Sequence, residues 1–372
     1  MKTRTATVLA LLPVLCAALA GCSSSAAPPT GSAAAETPGT TASGTATASA
    51  PATATVADGL DSPWGLVRLP DGALLVGSRD TGRIVRIDPG SGDRTDVGTV
   101  PGVLHAGEGG LLGLALGPDG ALYAYYTGTD DNRIVRFTYD TSRPVGAQLT
   151  EPAIVLTGIP KGNNHNGGRI AFGPDGMLYV GTGESGRPAL AQDRSSLGGK
   201  ILRITPEGAP APGNPFPGSP VWSLGHRNVQ GLAWDAQGRL WASEFGQNTW
   251  DELNLIRPGA NYGWPIVEGQ ADRPGFTDPV VQWRPADASP SGIAFADGAI
   301  WMAGLRGQRL WRIPLDGDRA AGDPVAHLDH ADGRLRTVLA EPDGTLLVVT
   351  NNTDGRGDPR PGDDRVLRYD PS

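Results

Sequence analysis

Short segments of alternating apolar and polar residues, each closed by a turn, run from about residue 55 to the C-terminus. Period-two alternation marks half-buried strands. The segments are organised around one recurring turn. Pro-Asp-Gly stands at Pro70-Asp71-Gly72, Pro118-Asp119-Gly120, Pro174-Asp175-Gly176 and Pro342-Asp343-Gly344. Degenerate copies stand at Ala236-Gln237-Gly238 and Ala296-Asp297-Gly298. An apolar segment leads into the turn and another leaves it, as Ile170-Ala171-Phe172 and Leu178-Tyr179-Val180 do around the third copy. A third segment often closes the unit, as in Lys200-Ile201-Leu202-Arg203-Ile204, Gln308-Arg309-Leu310-Trp311-Arg312-Ile313 and Arg365-Val366-Leu367-Arg368-Tyr369. Proline presets the first corner of such a turn, and glycine accepts the positive φ that the hairpin twist demands. The spacing of roughly 45–60 residues is that of β-propeller blades. Six copies predict an all-β fold, a six-bladed β-propeller, with its chemistry in the loops at one mouth of a central channel. No long stretch of the body has a helical period.

The N-terminus reads as targeting rather than structure. Lys2 and Arg4 precede an apolar run from Val8 to Ala20, which ends in Leu19-Ala20-Gly21-Cys22. That ending resembles a bacterial lipobox. Residues 1–21 are therefore expected to be a lipoprotein signal peptide, cleaved before a lipidated Cys22. Residues from Ser23 to Ala54 are almost all Ala, Ser, Thr, Gly and Pro, a composition that cannot bury a core. They are expected to tether the body, residues 55–372, to the outer face of the cell membrane after export.

Radial repetition gives each pair of blades its own core, so the length of the body calls for no division into domains. Cys16 and Cys22 are the two cysteines, and both precede the body. The body thus has no disulfide, no thiolate-held zinc and no thiol nucleophile. A net charge of −8 without any basic stripe argues against a nucleic-acid partner.

Several polar segments stand out from this framework. His165 lies in Gly162-Asn163-Asn164-His165-Asn166-Gly167-Gly168-Arg169, a Gly/Asn-rich loop before a strand, where an imidazole can take a proton at neutral pH. His226 lies in Gly225-His226-Arg227-Asn228, where a fork-shaped cation and an amide suit a carboxylate or quinone oxygen. The loop Ser243-Glu244-Phe245-Gly246-Gln247-Asn248 runs on to Asp251-Glu252-Leu253-Asn254 and is dense in the oxygen donors that calcium prefers. Arg334 and Arg336 stand two apart, so on a strand they face the same side and need an anion or solvent.

The order of these motifs resembles the soluble glucose/sorbosone (aldose sugar) dehydrogenase family, whose cofactor is pyrroloquinoline quinone (PQQ). The resemblance starts near Leu60-Asp61-Ser62-Pro63-Trp64. It continues through Gly107-Glu108-Gly109-Gly110-Leu111, the His165 loop, Gly183-Glu184, Leu197-Gly198-Gly199-Lys200, the His226 segment, Asn261-Tyr262-Gly263-Trp264-Pro265 and Thr353-Asp354-Gly355-Arg356-Gly357. It implies oxidation of an aldose C1 hydroxyl, with PQQ at one propeller mouth. His165 matches the family's general base, and Glu184 the acid that orients it. Glu108 stands near them where the best-known members carry Gln, and is grouped with them as catalytic. Arg227, Asn228, Arg334 and Arg336 match cofactor-binding residues, and Arg306 falls near a cofactor-contacting Lys. Gly246 and Gln247 match positions whose backbone carbonyls hold calcium. The implied partners are a sugar, a membrane reached through the lipid anchor, and an electron acceptor, either a quinone or a redox protein. Two other readings stay open: a non-catalytic carbohydrate- or envelope-binding propeller, and a calcium-dependent lactonase-type hydrolase.

Overall fold

The repeated turn works through its aspartate. In the computed structural model, which describes residues 52–371, Asp71 Oδ1 accepts the amide N–H of Ala73 at 3.1 Å. Asp119, Asp175 and Asp343 make the same bond to Ala121, Met177 and Thr345. The other carboxylate oxygen takes an arginine from the third strand of the same blade: Arg86, Arg136, Arg203 and Arg368 respectively. Each turn glycine adopts positive φ, from 73° at Gly176 to 88° at Gly72. The degenerate copies reach the same reversal differently. Asp235, one residue before Ala236, caps the amides of Gln237 and Arg239. Asp297 and Gly298 are both left-handed, at φ 47° and 69°, as a two-residue hairpin requires.

Six antiparallel sheets result. Their first strands are Pro63–Arg68, Leu111–Leu116, Ile170–Phe172, Val229–Trp234, Pro290–Ala296 and Leu335–Ala340, which open blades one to six. These strands touch their neighbours around the ring, and the sixth meets the first. Between the blades lie the apolar layers. Leu112, Tyr123, Tyr125, Ile170, Val180 and Leu202, for example, join blades two and three. Among the described residues the one helical element is a single 3-10 turn, Pro188–Ala191.

Blade six is completed from the other end of the chain. Ala52–Ala57 pairs with Val366–Asp370 as its outermost strand, with Ala52 opposite Asp370. Residues 52–54, expected to be tether, are thus part of a blade strand. Residues 52–55 are exposed and bury no apolar face, so composition gave no sign of the strand. Backbone pairing to a preformed edge holds them. The expected signal peptide, Cys22 and the rest of the expected tether lie outside the described residues.

Candidate functional site

At the end of the channel opposite the Pro-Asp-Gly turns, loops from several blades enclose a cavity of about 440 Å³. Glu108, His165, Arg227, Gly246, Gln247, Arg306 and Arg334 all line it. The sequence had placed these residues in one site although they are spread over more than two hundred positions. Arg336 lies deeper, on a narrow inner cavity that shares Glu108, Phe245, Leu305 and Arg356 with the outer one.

His165 is held from every side except the cavity. Its φ is 53°, in the left-handed region that a histidine seldom adopts. Glu108 Oε2 accepts its backbone N–H at 2.8 Å, and its carbonyl accepts the Ser185 N–H at 3.0 Å. Gly183 allows this closeness, because a Cβ there would collide with the His165 carbonyl. On the ring, Nδ1 lies 2.5 Å from Glu184 Oε1, and the Asn164 amide nitrogen stands 3.3 Å from Nε2. A donor beside Nε2 and a carboxylate at Nδ1 select the tautomer with the proton on Nδ1 and the lone pair on Nε2.

The guanidinium groups divide by partner. Arg227 Nη1 donates to the carbonyls of Gly246 and Phe245, at 2.5 and 3.3 Å. Its Nε is buried without a partner, as are Arg334 Nε and Asn228 Nδ2, while Asn228 Oδ1 accepts the Gly167 N–H. Burial holds Arg227 below its ordinary arginine value, with Glu184, Glu268, Glu108 and Asp251 opposing the shift. Arg334 and Arg336 share one carboxylate, since Asp354 Oδ2 takes Arg334 Nη2 at 2.9 Å and Arg336 Nη2 at 3.5 Å. Arg336 also donates to Asn351 and Gln230, so all its nitrogens are bonded, and burial lowers it to about 9. Arg306 is exposed on the rim.

The third wall is the loop at 245–251. Asp251 accepts the amides of Gly246 and Ser289. Glu268 Oε1 accepts four consecutive amides, those of Gln247, Asn248, Thr249 and Trp250, at 2.7–3.2 Å. Among the described residues no group of three His, Cys, Asp or Glu side chains is arranged for a metal. The Gly246 carbonyl, expected to be a calcium ligand, instead receives Arg227.

A half-buried histidine oriented by a carboxylate, on the same cavity as two guanidinium groups, suits proton transfer next to an anionic, oxygen-rich ligand. The sequence model of the glucose/sorbosone dehydrogenases matches residues 60–358, which takes in the whole mouth. The chain belongs to the glucose/sorbosone dehydrogenase family. A solved structure of the PQQ-bound aldose sugar dehydrogenase from Streptomyces coelicolor is 62% identical, with a TM-score of 0.84, and covers 86% of this chain and 98% of its own. Aldose sugar dehydrogenase YliI of Escherichia coli (strain K12) is 30% identical over 80% of this chain and 89% of its own. Quinoprotein glucose dehydrogenase B of Acinetobacter calcoaceticus is 36% identical over 59% of this chain and 54% of its own.

As a glucose/sorbosone dehydrogenase family member, the chain shows several working residues that its motifs did not reveal. Arg356 pairs with Glu108 Oε1 at 2.7 Å and lines both cavities. Glu268 lies outside every motif, and Asp354 lies inside Thr353-Asp354-Gly355-Arg356-Gly357 without that segment revealing its partners. Arg169 fills the channel below, donating to Gln230 and Thr337 with its guanidinium over the Trp64 ring. His226, singled out by sequence, is wholly buried between Ser223 and Glu244 and stacks on Tyr262. Glu244 also accepts the Arg227 N–H, so this group braces Arg227 from behind.

Proposed function

We propose that the protein oxidises the C1 hydroxyl of an aldose, or a related polyol, to the lactone or aldehyde, with PQQ bound in the mouth cavity. The observation that carries this reading is the His165–Glu184 pair, with His165 lining the same cavity as Arg227 and Arg334. The two guanidinium groups suit the carboxylates of PQQ, and Asn228 stands behind them with its Nδ2 buried and unpartnered. The similarity to a PQQ-bound aldose sugar dehydrogenase supports the same choice of cofactor. When bound, PQQ supplies the two-electron acceptor for the hydride from C1.

This chain's residues do the rest. Glu184 holds the Nδ1 proton and so leaves the lone pair on Nε2, where the substrate hydroxyl would replace the Asn164 amide. His165 Nε2 takes the hydroxyl proton as the C1–O bond becomes a carbonyl. Glu184 then stabilises the imidazolium that forms. Arg227 and Arg334 bind and orient anionic oxygens, and Arg306 on the rim adds a further charge. Calcium is proposed on the Gln247 carbonyl, reaching Gly246 only if Arg227 exchanges its partner for the cofactor. We also propose export, lipidation at Cys22 and electron delivery to a membrane quinone or redox protein, on the strength of the lipobox-like segment.

The test is reconstitution of the body with PQQ, with and without calcium, followed by dye reduction across a panel of aldoses. PQQ-dependent turnover that falls about 10²- to 10⁴-fold in His165→Ala is the expected result. Wild-type turnover in that variant would exclude His165 as the base. Saturable glycan binding with no turnover on any sugar would favour a non-catalytic propeller.

A further inference from the structure

We infer that the Glu108–Arg356 ion pair is a positioning device that holds the His165 backbone in place, and that Glu108 takes no proton in the reaction. The inference rests on the proposed function, because it assigns a role relative to His165 as base.

Both oxygens of Glu108 are committed. Oε2 accepts the His165 N–H at 2.8 Å, and Oε1 accepts Arg356 Nη1 at 2.7 Å. No hydrogen bond joins this carboxylate to the imidazole, whose Nδ1 is taken by Glu184. The pair links elements far apart in the chain. Glu108 precedes blade two, whereas Arg356 lies between the second and third strands of blade six, so their contact crosses in front of blade one. With Phe245 and Leu305 they form the collar shared by the outer and inner cavities. Arg356 is itself seated by Asp354, which accepts its backbone N–H and also binds Arg334 and Arg336.

The charged groups facing Glu108 are Arg356 and His165, with Arg227 and Arg336 farther off and Arg79 across the inner cavity. Burial pushes the Glu108 carboxyl up, but Arg356 and the His165 N–H outweigh it, and the net shift is downward. Glu108 is thus kept as a carboxylate that accepts from a backbone needing support at positive φ. The Arg356 side chain is 55% exposed, so salt screens this pair more than the buried contacts.

The test compares Glu108→Gln, Glu108→Ala, Arg356→Gln and Arg356→Lys by steady-state kinetics with PQQ loaded and by amide hydrogen exchange of residues 163–168 without PQQ. Glu108→Ala is expected to lower kcat about ten- to hundredfold with KM little changed, because a small misplacement of the base is costly. Glu108→Gln still offers an oxygen to the His165 N–H, so it should lose far less. Arg356→Gln should lower kcat and Arg356→Lys restore most of it. Exchange at 163–168 should rise in Glu108→Ala and Arg356→Gln. A Glu108→Gln defect as deep as that of Glu108→Ala, with unchanged exchange, would make Glu108 a chemical participant and overturn the inference. So would a rise in KM at constant kcat in Arg356→Gln, which would make Arg356 a substrate ligand. Faster exchange with unaltered turnover would show that the pair does not position the base and would overturn the inference, whereas His165→Ala tests the base itself.

Discussion

The His165 imidazole rests its Nδ1 on Glu184 Oε1 at 2.5 Å, and the glutamate side chain is only 1% exposed. That contact fixes which ring nitrogen faces the cavity. Glu184→Gln keeps the size but can turn an N–H toward Nδ1, which would put the ring proton on Nε2. We predict a kcat loss of about 10²- to 10⁴-fold, comparable to losing a general base or its orienting acid. PQQ affinity, read by quenching of tryptophan fluorescence, should stay within a few-fold of wild type.

Arg227 stands apart from the other buried arginines of the mouth because its firm partners are two backbone carbonyls rather than a carboxylate. A bound anion would relieve the burial that lowers it. Arg227→Met should therefore weaken PQQ binding about tenfold to a hundredfold, the worth of a charge-assisted hydrogen bond. The same fluorescence titration measures it.

Two glycines separate stability from function. At Gly176 φ is 73° and a Cβ would meet nothing within 4 Å, so Gly176→Ala should cost about 1–2 kcal/mol from the left-handed backbone alone. Activity of the folded protein should be unaffected. Gly183 has ordinary φ, yet a Cβ there would strike the His165 carbonyl. Gly183→Ala should cut kcat steeply with a modest loss of stability. Urea denaturation and turnover, measured on both variants, distinguish the two outcomes.

Glu252 is buried, and Asn254 Nδ2 bridges it to Glu244 at 3.0 and 3.1 Å. Burial first, and then the Glu244 charge, raise Glu252 to about 8 from an ordinary 4.5. Between those values the folded protein holds a proton that the unfolded chain has released. Stability should thus fall as pH rises from about 5 to 8, with this contribution wholly present below and lost above. Glu252→Gln stays neutral and should flatten that slope. Its denaturation midpoint should exceed wild type at pH 8 and converge with it near pH 5.

Much of the architecture was legible because it repeats. The Pro-Asp-Gly turns and the two-residue alternation are local signals, and each marked a hairpin that formed. The family motifs likewise brought His165, Arg227 and Arg334 to one cavity. What the sequence could not show were pairings across the ring. Glu108 and Arg356 are 248 positions apart, and no periodicity links them. Asp354 sits inside a quoted motif, but its grip on Arg334 and Arg336 depends on how blade six folds back. The sequence left those two arginines in want of an anion, and the fold supplies it. Glu268 collects four amides only because the 247–250 backbone curls around it. The strand at 52–57 escaped notice because an edge strand can be held by its backbone alone.

That strand also bears on what counts as the beginning of this molecule. Ala52 and Asp370 face each other as register partners, so the two ends of the propeller are neighbours in space. Joining them by a short linker and cutting at an open turn such as Gly120 would produce a circular permutant in which blade six is made from one uninterrupted stretch. The seam would then move to blade two, between strands that are contiguous today. Blade order is in this sense a numbering convention, and the ring has no privileged first member except the one chosen by where synthesis starts.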